Sequence, residues 1–131
     1  MENNFKIIPE KIGNITVFHL EGHLDSSSAN LLETQARESH QAGAVNILLD
    51  FKGITTITSA GLRAVHTIYK MLTPPEDNAA LMRPPTGEPV KNPYLKLVSL
   101  TPEVYYIFNV SGFLHNLAIY NDLETALKSF E

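Results

Sequence analysis

Apolar residues follow two different patterns in the first half of the chain. The segments NFKIIPEK and NITVFHLEG flank Gly13-Asn14, a pair that tolerates the positive φ of a tight hairpin turn. In VNILLDF the apolar residues are consecutive instead, which is typical of a strand covered on both faces. The pattern predicts an N-terminal hairpin, which supplies one antiparallel edge, and a central strand after it.

Two segments around the predicted central strand have apolar residues at the three- and four-residue steps of an amphipathic helix. The first, DSSSANLLETQARESHQAG, offers Ser26 or Ser27 as its N-cap and Gly43 as its stop. The second begins at Leu62, and its predicted inner face is Leu62, Val65, Tyr69 and Leu72. Its predicted outer face is Arg63, His66, Thr67 and Lys70.

The second half of the chain predicts two further strands and two further helices. After the strand YLKLVSL, residues 101–103 supply a cap, a first-turn proline and an acid at the positive end of the helix dipole. Gly112 closes that helix, and LAIY predicts a short last strand. Asn121, with Glu124 three residues on, resembles a capping box at the start of a fourth helix.

The order of these elements is a hairpin followed by helix and strand in alternation. It predicts an α/β fold in which a mixed, mostly parallel sheet of about five strands packs with four helices. At 131 residues the chain suits one domain, residues 1–131. Residues 73–93 hold six of the eight prolines, so we expect a long proline-rich connection there, inserted into the domain.

Composition narrows the classes of partner and compartment. The net charge of −4, with no basic block, leaves little attraction for nucleic-acid phosphates. No apolar run approaches the roughly 20 residues of a membrane span, and the start, MENNFKIIPEK, lacks the regions of a secretory signal. The absence of cysteine fits a reducing compartment. We therefore expect a cytoplasmic protein with no membrane span and no nucleic-acid partner.

Three kinds of chemistry find little support in the residue pattern. The five histidines lack zinc-like spacing, and no Gly-rich phosphate loop or dinucleotide fingerprint is present, so we expect no metal and no cofactor. Strand, serine and helix is also the layout of a hydrolase nucleophile elbow, but Ile57 stands where its first glycine belongs. A serine hydrolase with Ser59 as nucleophile remains a minor alternative.

The stretch TTITSAGLRAV, residues 55–65, places Ser59 where the second helix is predicted to begin. A serine at this point can be an N-cap, whose oxygen accepts a bond from a backbone N–H of the first turn. It can also be a modification site, because a phosphate there meets unpaired N–H groups and the positive end of the helix dipole.

The segment LDFKGITTITSAGLRAV, residues 49–65, resembles the signature of the STAS domain in bacterial anti-sigma factor antagonists. In that signature a strand ending in Asp leads through a Gly-containing turn to Asp-Ser-Ser-Gly-Leu. ITVFHLEGHLDSSSANLL resembles the family's second strand and the start of its first helix, and TPEVYYIFNVSGFLHNLAIY resembles its third helix and last strand. The resemblance spans nearly the whole chain and implies the STAS-type fold.

The resemblance implies a binding protein and not an enzyme. Such a protein binds an anti-sigma factor, itself a serine kinase, and so releases the sigma factor; phosphorylation reverses this, and a serine phosphatase restores binding. Ser59 matches the phosphorylated serine, and Asp50 matches the acid that closes the strand. The implied partner-binding residues are Asp25, Ser26, Thr58, Ser59, Ala60, Gly61, Leu62, Arg63 and His66.

Two positions depart from the family signature. Thr58 stands where the family has Asp, and Ala60 stands where it has a second Ser. Thr58 is therefore a second candidate for phosphorylation. The departures also keep an alternative open, a non-switching STAS scaffold or transporter-accessory module in which Ser59 only caps the helix.

Overall fold

The computed structural model describes residues 5–73, 93–112 and 117–130. Apart from Thr73 and Pro93, the predicted proline-rich connection lies outside the described residues, and so does His115.

Over the described ranges, five strands form one sheet in the order in which they occur along the chain. The hairpin strand β1 runs antiparallel to β2, whereas β2, β3, β4 and β5 are parallel to their neighbours. Gly13 provides the positive φ of 61° that the hairpin turn needs. The predicted mixed, mostly parallel sheet is confirmed. The strands are β1 Lys6–Ile12, β2 Ile15–Leu24, β3 Asn46–Ile57, β4 Leu95–Val98 and β5 Ala118–Tyr120.

In the part of the chain that the structure describes, four α-helices alternate with the strands, as predicted. Thr101 caps the third one, because its Oγ1 accepts a bond from the N–H of Val104 at 3.3 Å. Gly112 ends the same helix with a left-handed φ of 86°. The helices are α1 Ala29–Gln41, α2 Ser59–Leu72, α3 Pro102–Ser111 and α4 Leu123–Lys128.

Helices cover both faces of the sheet. Helices α1, α2 and α3 pack on one face, around Phe18, Phe51 and Phe108, and the rings of Phe51 and Phe108 meet edge to face at 5.9 Å. Helix α4 packs on the other face, where Ala126 joins a second cluster with Leu48. Each fully buried side chain of this size contributes about 1.5–3 kcal/mol. The consecutive apolar residues of β3 thus point alternately into two cores, as the sequence predicts.

Strand β3 is longer than the sequence indicates. The resemblance places the end of this strand at Asp50, but the structure corrects this, because β3 continues to Ile57 beside β2. Its pairing with β2 shifts twice, between His19 and Glu21 and between Gly22 and His23. At each shift β3 carries one extra residue, which is a β-bulge that bends the strand and increases its twist. The bulges direct the end of β3 toward α2.

The cap of α1 also differs from the prediction. Ser28, and not Ser26 or Ser27, precedes the helix. Its buried hydroxyl donates to the carbonyl of His23 at 2.7 Å and accepts from the N–H of Asp25 at 2.9 Å. These bonds tie the segment before α1 to the end of β2, and so they decide which of three neighbouring serines stands at the helix start.

The start of α4 lies one residue later than predicted. Asp122, and not Asn121, is the N-cap, because its Oδ1 accepts from the N–H of Thr125 at 2.8 Å. The capping box predicted for Asn121 and Glu124 is therefore wrong. The two bonds from Thr125 also hold the pKa of Asp122 below its ordinary value.

Candidate functional site

Ser59 is the first residue of α2, and it is exposed. Thr58 occupies the N-cap position in extended backbone, and its side chain makes no capping hydrogen bond. The first helical bond runs from the N–H of Leu62 to the carbonyl of Thr58 at 2.9 Å. Within the described parts of the chain, no group hydrogen-bonds to the Ser59 hydroxyl. Ser59 is therefore a residue of the first turn whose hydroxyl makes no such bond, and it is not the N-cap.

The first turn of α2 has an uncompensated positive end. The N–H groups of residues 59–61 precede the first intrahelical donor, the N–H of Leu62, and have no partner within the helix. No acidic residue lies in this turn, whereas the first turns of α3 and α4 contain Glu103 and Glu124. A negative group at Ser59 would thus meet the dipole and the open N–H groups of a 14-residue helix.

Gly61 lets α2 approach β2 closely. A Cβ at this position would lie 2.4 Å from the carbonyl oxygen of Leu24 and 2.8 Å from Cγ1 of Ile57. Both distances are far inside van der Waals contact, and the first involves rigid backbone. Gly61 is predicted to belong to the partner surface, but it is buried. Its role is to position the first turn of α2, which carries Ser59.

One backbone bond brings the two predicted parts of the partner surface side by side. The N–H of Thr58 donates to the carbonyl of Leu24 at 3.0 Å. Asp25 follows Leu24 directly and Ser59 follows Thr58, so the segment that begins at Asp25 lies beside the start of α2. The exposed Ser26 belongs to this segment.

Asp25 is held by the serines that follow it. Its Oδ1 accepts from the hydroxyl of Ser27 at 2.6 Å and from the N–H of Ser27 at 2.9 Å. The Ser27 hydroxyl is the main reason why the pKa of Asp25 lies below its ordinary value, and backbone bonds from Ser27 and Ser28 add to it against the opposing effect of desolvation. Asp25 is therefore a fixed negative charge beside Ser59.

The outer face of α2 continues from Ser59 through Arg63 to His66, at steps of four and three residues. Arg63 is exposed, and the half-buried His66 stacks on Tyr69 with ring centroids 6.0 Å apart. Burial, with the charge of Lys70 as a second cause, lowers the pKa of His66, so this imidazole is neutral at pH 7. Ala60 and Leu62 are partly buried instead, and their side chains pack against the core.

Asp50 has a role that the sequence did not reveal. Its Oδ2 lies 2.7 Å from Nδ1 of His19, and Nε2 of the same ring lies 2.8 Å from Oε1 of Glu10. Partial burial alone would lower the pKa of His19, but the bonds and charges of Glu10 and Asp50 outweigh it and raise that pKa. The ring thus bridges β1, β2 and β3, and the two carboxyl groups favour its protonated form. The register of the neighbouring strands brings these three side chains together, and the spacing of the residues along the sequence does not give that register.

Other kinds of site receive no geometric support in the described ranges. No group of three or more His, Cys, Asp or Glu side chains could hold a metal ion in residues 5–73, 93–112 and 117–130. Over the same ranges, no helix is long and apolar enough to cross a bilayer.

The fold and the site define a class: a five-stranded α/β protein with an exposed serine in the first turn of its second helix. The STAS domain model matches residues 6–76, from β1 to beyond the end of α2. The chain belongs to the STAS domain family.

Relatives extend the match to nearly the whole chain. BtrV of Bordetella bronchiseptica, which carries the provisional name of anti-sigma factor antagonist, is 30% identical over 126 residues, or 96% of this chain and 95% of its own. An anti-sigma factor antagonist from Mycobacterium paratuberculosis superposes with a TM-score of 0.77 at 16% identity, covering 97% of this chain and 94% of its own. The phosphorylated form of the Bacillus cell fate determinant SpoIIAA superposes with a TM-score of 0.66 at 18% identity, covering 96% and 100%. The family of anti-sigma factor antagonists is regulatory and not catalytic.

Proposed function

We propose that this chain is a cytoplasmic anti-sigma factor antagonist switched by phosphorylation of Ser59. Unphosphorylated, it binds an anti-sigma factor that is also a serine kinase, and so frees the sigma factor. That kinase phosphorylates Ser59 and the complex separates, and a serine phosphatase restores the binding form. The observation that carries the proposal is an exposed Ser59 in an acid-free first turn of α2.

The relatives support the same role. BtrV matches this chain over almost its full length, and its name gives the class of partner, an anti-sigma factor. SpoIIAA exists in a phosphorylated form with this fold. Among the hydroxyl residues near the start of α2, Ser59 has the position that the signature assigns to the modified serine.

Phosphorylation would change the surface and leave the fold intact. A phosphate adds about −1.5 to −2 charges and three strong acceptors, and the open N–H groups of the first turn can bind it. Together with the fixed charge of Asp25, the modified Ser59 makes the surface strongly negative. A partner that had packed an acidic or apolar group there would lose contacts and meet repulsion. Tenfold weaker binding requires only about 1.4 kcal/mol.

The first test identifies the acceptor. The chain is incubated with its serine kinase and ATP, and wild type, Ser59→Ala and Thr58→Ala are compared by mass spectrometry. We expect one phosphate on wild type and on Thr58→Ala, and none on Ser59→Ala. Phosphate on Ser59→Ala at the wild-type rate would move the acceptor to Thr58 or elsewhere.

The second measurement tests the switch itself. Ser59→Asp should bind the anti-sigma factor at least tenfold more weakly than wild type while its Tm stays within a few degrees, because Asp adds charge where the helix dipole favours it. Thr34→Asp, an exposed change on α1, is the control and should bind like wild type. Equal affinity of wild type and Ser59→Asp would contradict the switch.

A non-switching STAS scaffold or transporter-accessory module is the second candidate. The observation that favours it is Thr58 at the N-cap, where the family signature has a carboxylate that could orient the attacking hydroxyl. This candidate predicts no phosphate on either hydroxyl in the kinase experiment. The minor hydrolase alternative predicts that a fluorophosphonate probe labels Ser59.

A further inference from the structure

A groove of about 920 Å³ opens between the end of β3 and the first turns of α3. Its described walls are the three residues Thr55–Ile57 of β3 and, from the first turns of α3, Pro102, Glu103, Val104, Tyr106 and Ile107. The groove exists because β4 pairs only with the first part of β3, from Ile47 to Asp50. Beyond that point the bulged end of β3 faces α3 across open space.

The lining of the groove is mainly apolar. Ile57, Pro102, Val104 and Ile107 supply aliphatic surface, and Glu103 is the acidic residue of the described lining. The two threonine hydroxyls at the rim already have a partner, because Nδ1 of His23 lies 2.7 Å from Oγ1 of Thr56 and 3.0 Å from Oγ1 of Thr55. The groove therefore suits an apolar side chain better than a polar ligand.

The apolar surface continues beyond the groove along α3. Tyr106 is 62% exposed and Val110, one turn further on, is 63% exposed. On the opposite side of the same helix, Val104 and Phe108 are buried in the core. Tyrosine is enriched at protein interfaces and often carries much of the binding energy. An exposed apolar strip of this composition beside the groove fits a protein partner.

The groove is continuous with the proposed switch surface. Ile57 lines the groove, and Ser59 follows two residues later, no more than about 7 Å along an extended chain. A stable complex covers about 800 Å² on each partner, which corresponds to a patch of about 16 Å in radius. A patch of this size centred on Ser59 would therefore also reach the groove.

We propose that this groove, with Tyr106 as its exposed wall, is the second half of the docking surface for the anti-sigma factor. It accepts an aliphatic or aromatic side chain of that partner. The inference rests on the proposed function and adds a second element to it: α2 carries the switch and α3 carries an anchor for the partner.

The test compares two neighbouring tyrosines of α3. Affinity for the purified anti-sigma factor kinase is measured by calorimetry for wild type, Tyr106→Ala, Tyr105→Ala and Ser59→Asp. Tyr105 is the matched control, because it is 48% exposed on the same helix but does not line the groove. We expect Tyr106→Ala to raise the Kd at least tenfold and Tyr105→Ala to change it less than threefold, with Tm values within a few degrees of wild type.

The outcomes separate the two proposals. If Ser59→Asp weakens binding but Tyr106→Ala behaves like Tyr105→Ala, the groove is not part of the interface and the switch stands. If wild type does not bind the kinase, or if no variant weakens binding, both proposals fail. If Tyr106→Ala changes the oligomeric mass of the chain in solution and leaves the Kd unchanged, a second copy occupies the groove and the inference is overturned.

Discussion

At the scale of single residues, the site depends on which hydroxyl occupies which helix position. The signature predicts Ser59 at the beginning of a helix, and the structure makes the statement sharper, since Thr58 takes the N-cap and Ser59 takes the first turn. Sequence could not decide between them, because serine and threonine are both good caps. The choice follows from the bond between the N–H of Thr58 and the carbonyl of Leu24, which only the fold brings together.

His19 predicts a pH dependence of stability. Its pKa is raised above 6.5 in the folded protein, so its contribution is fully present below pH 6.5 and is lost as pH rises through the folded pKa. We expect the free energy of unfolding, measured by urea titration, to fall as the pH rises above 6.5. The deprotonated ring can donate only one hydrogen bond, so it loses either Glu10 or Asp50.

The control for this dependence is His66, the second histidine with a shifted pKa among the described residues. The pKa of His66 is lowered, so its contribution grows as pH rises through the depressed value and is complete above pH 6.5. His66→Gln should therefore keep the fall in stability above pH 6.5, whereas His19→Gln should abolish it. A fall of the same size in His19→Gln would assign the effect to other groups.

At the scale of elements, the sequence predicts the order and type of the helices and strands in the described residues but not all of their ends. The end of β3 is the clearest case. Phe51, Ile54 and Ile57 are buried at steps of three, and a regular strand buries every second residue. Two bulges supply the extra residues, and pairing with β2 overrides the turn that Lys52-Gly53 suggests. Neither the pairing with β2 nor the bulges produce the two-residue hydrophobic alternation by which a strand is recognised in a sequence.

The packing of α2 on β2 makes Gly61 critical. In an exposed helix interior, Gly→Ala stabilises by about 0.8–1 kcal/mol, but here the added Cβ would collide with the carbonyl of Leu24. We expect Gly61→Ala to lower the free energy of unfolding by about 1–3 kcal/mol, measured by chemical denaturation. Ser59→Ala, an exposed change in the same turn, should stay within about 0.5 kcal/mol. Stabilisation by Gly61→Ala would mean that α2 and β2 are further apart than described.

At the scale of the whole molecule, helices on both faces of the sheet divide the surface into two sides. Helices α1, α2 and α3 lie on the side of the proposed docking surface, and α4 covers the other core. The alternation of elements along the chain predicts this layering, because parallel strands need crossover connections. The amino-acid composition did not predict that a buried lysine would help to hold α4 on the second face of the sheet.

Lys96 is that lysine. It is 7% exposed, and its Nζ donates to the carbonyl and to Oγ of Ser129 at 2.9 and 3.0 Å and lies 4.4 Å from the ring centre of Phe130. We expect Lys96→Ala to lower the free energy of unfolding by about 1.5–3 kcal/mol, the range for hydrogen bonds to a charged group. Denaturant titration of the whole chain measures it.

Lys128 is the matched control for Lys96. It pairs with Glu124 at 3.1 Å on the surface of α4, where both side chains are mostly exposed. Exposed pairs of this kind are worth about 0–1 kcal/mol, so Lys128→Ala should change stability little. Equal losses from the two lysines would mean that the contacts of Lys96 with Ser129 and Phe130 do not anchor α4.

The two-sided arrangement has a practical consequence for spectroscopy. The chain has no cysteine, so Glu124→Cys would introduce a single thiol on α4, at a position where the present side chain is 79% exposed. A fluorophore attached there would sit behind the sheet, away from α2 and α3. It could report the rotational diffusion of the molecule, free or bound, without touching the surface on which the regulator is expected to land.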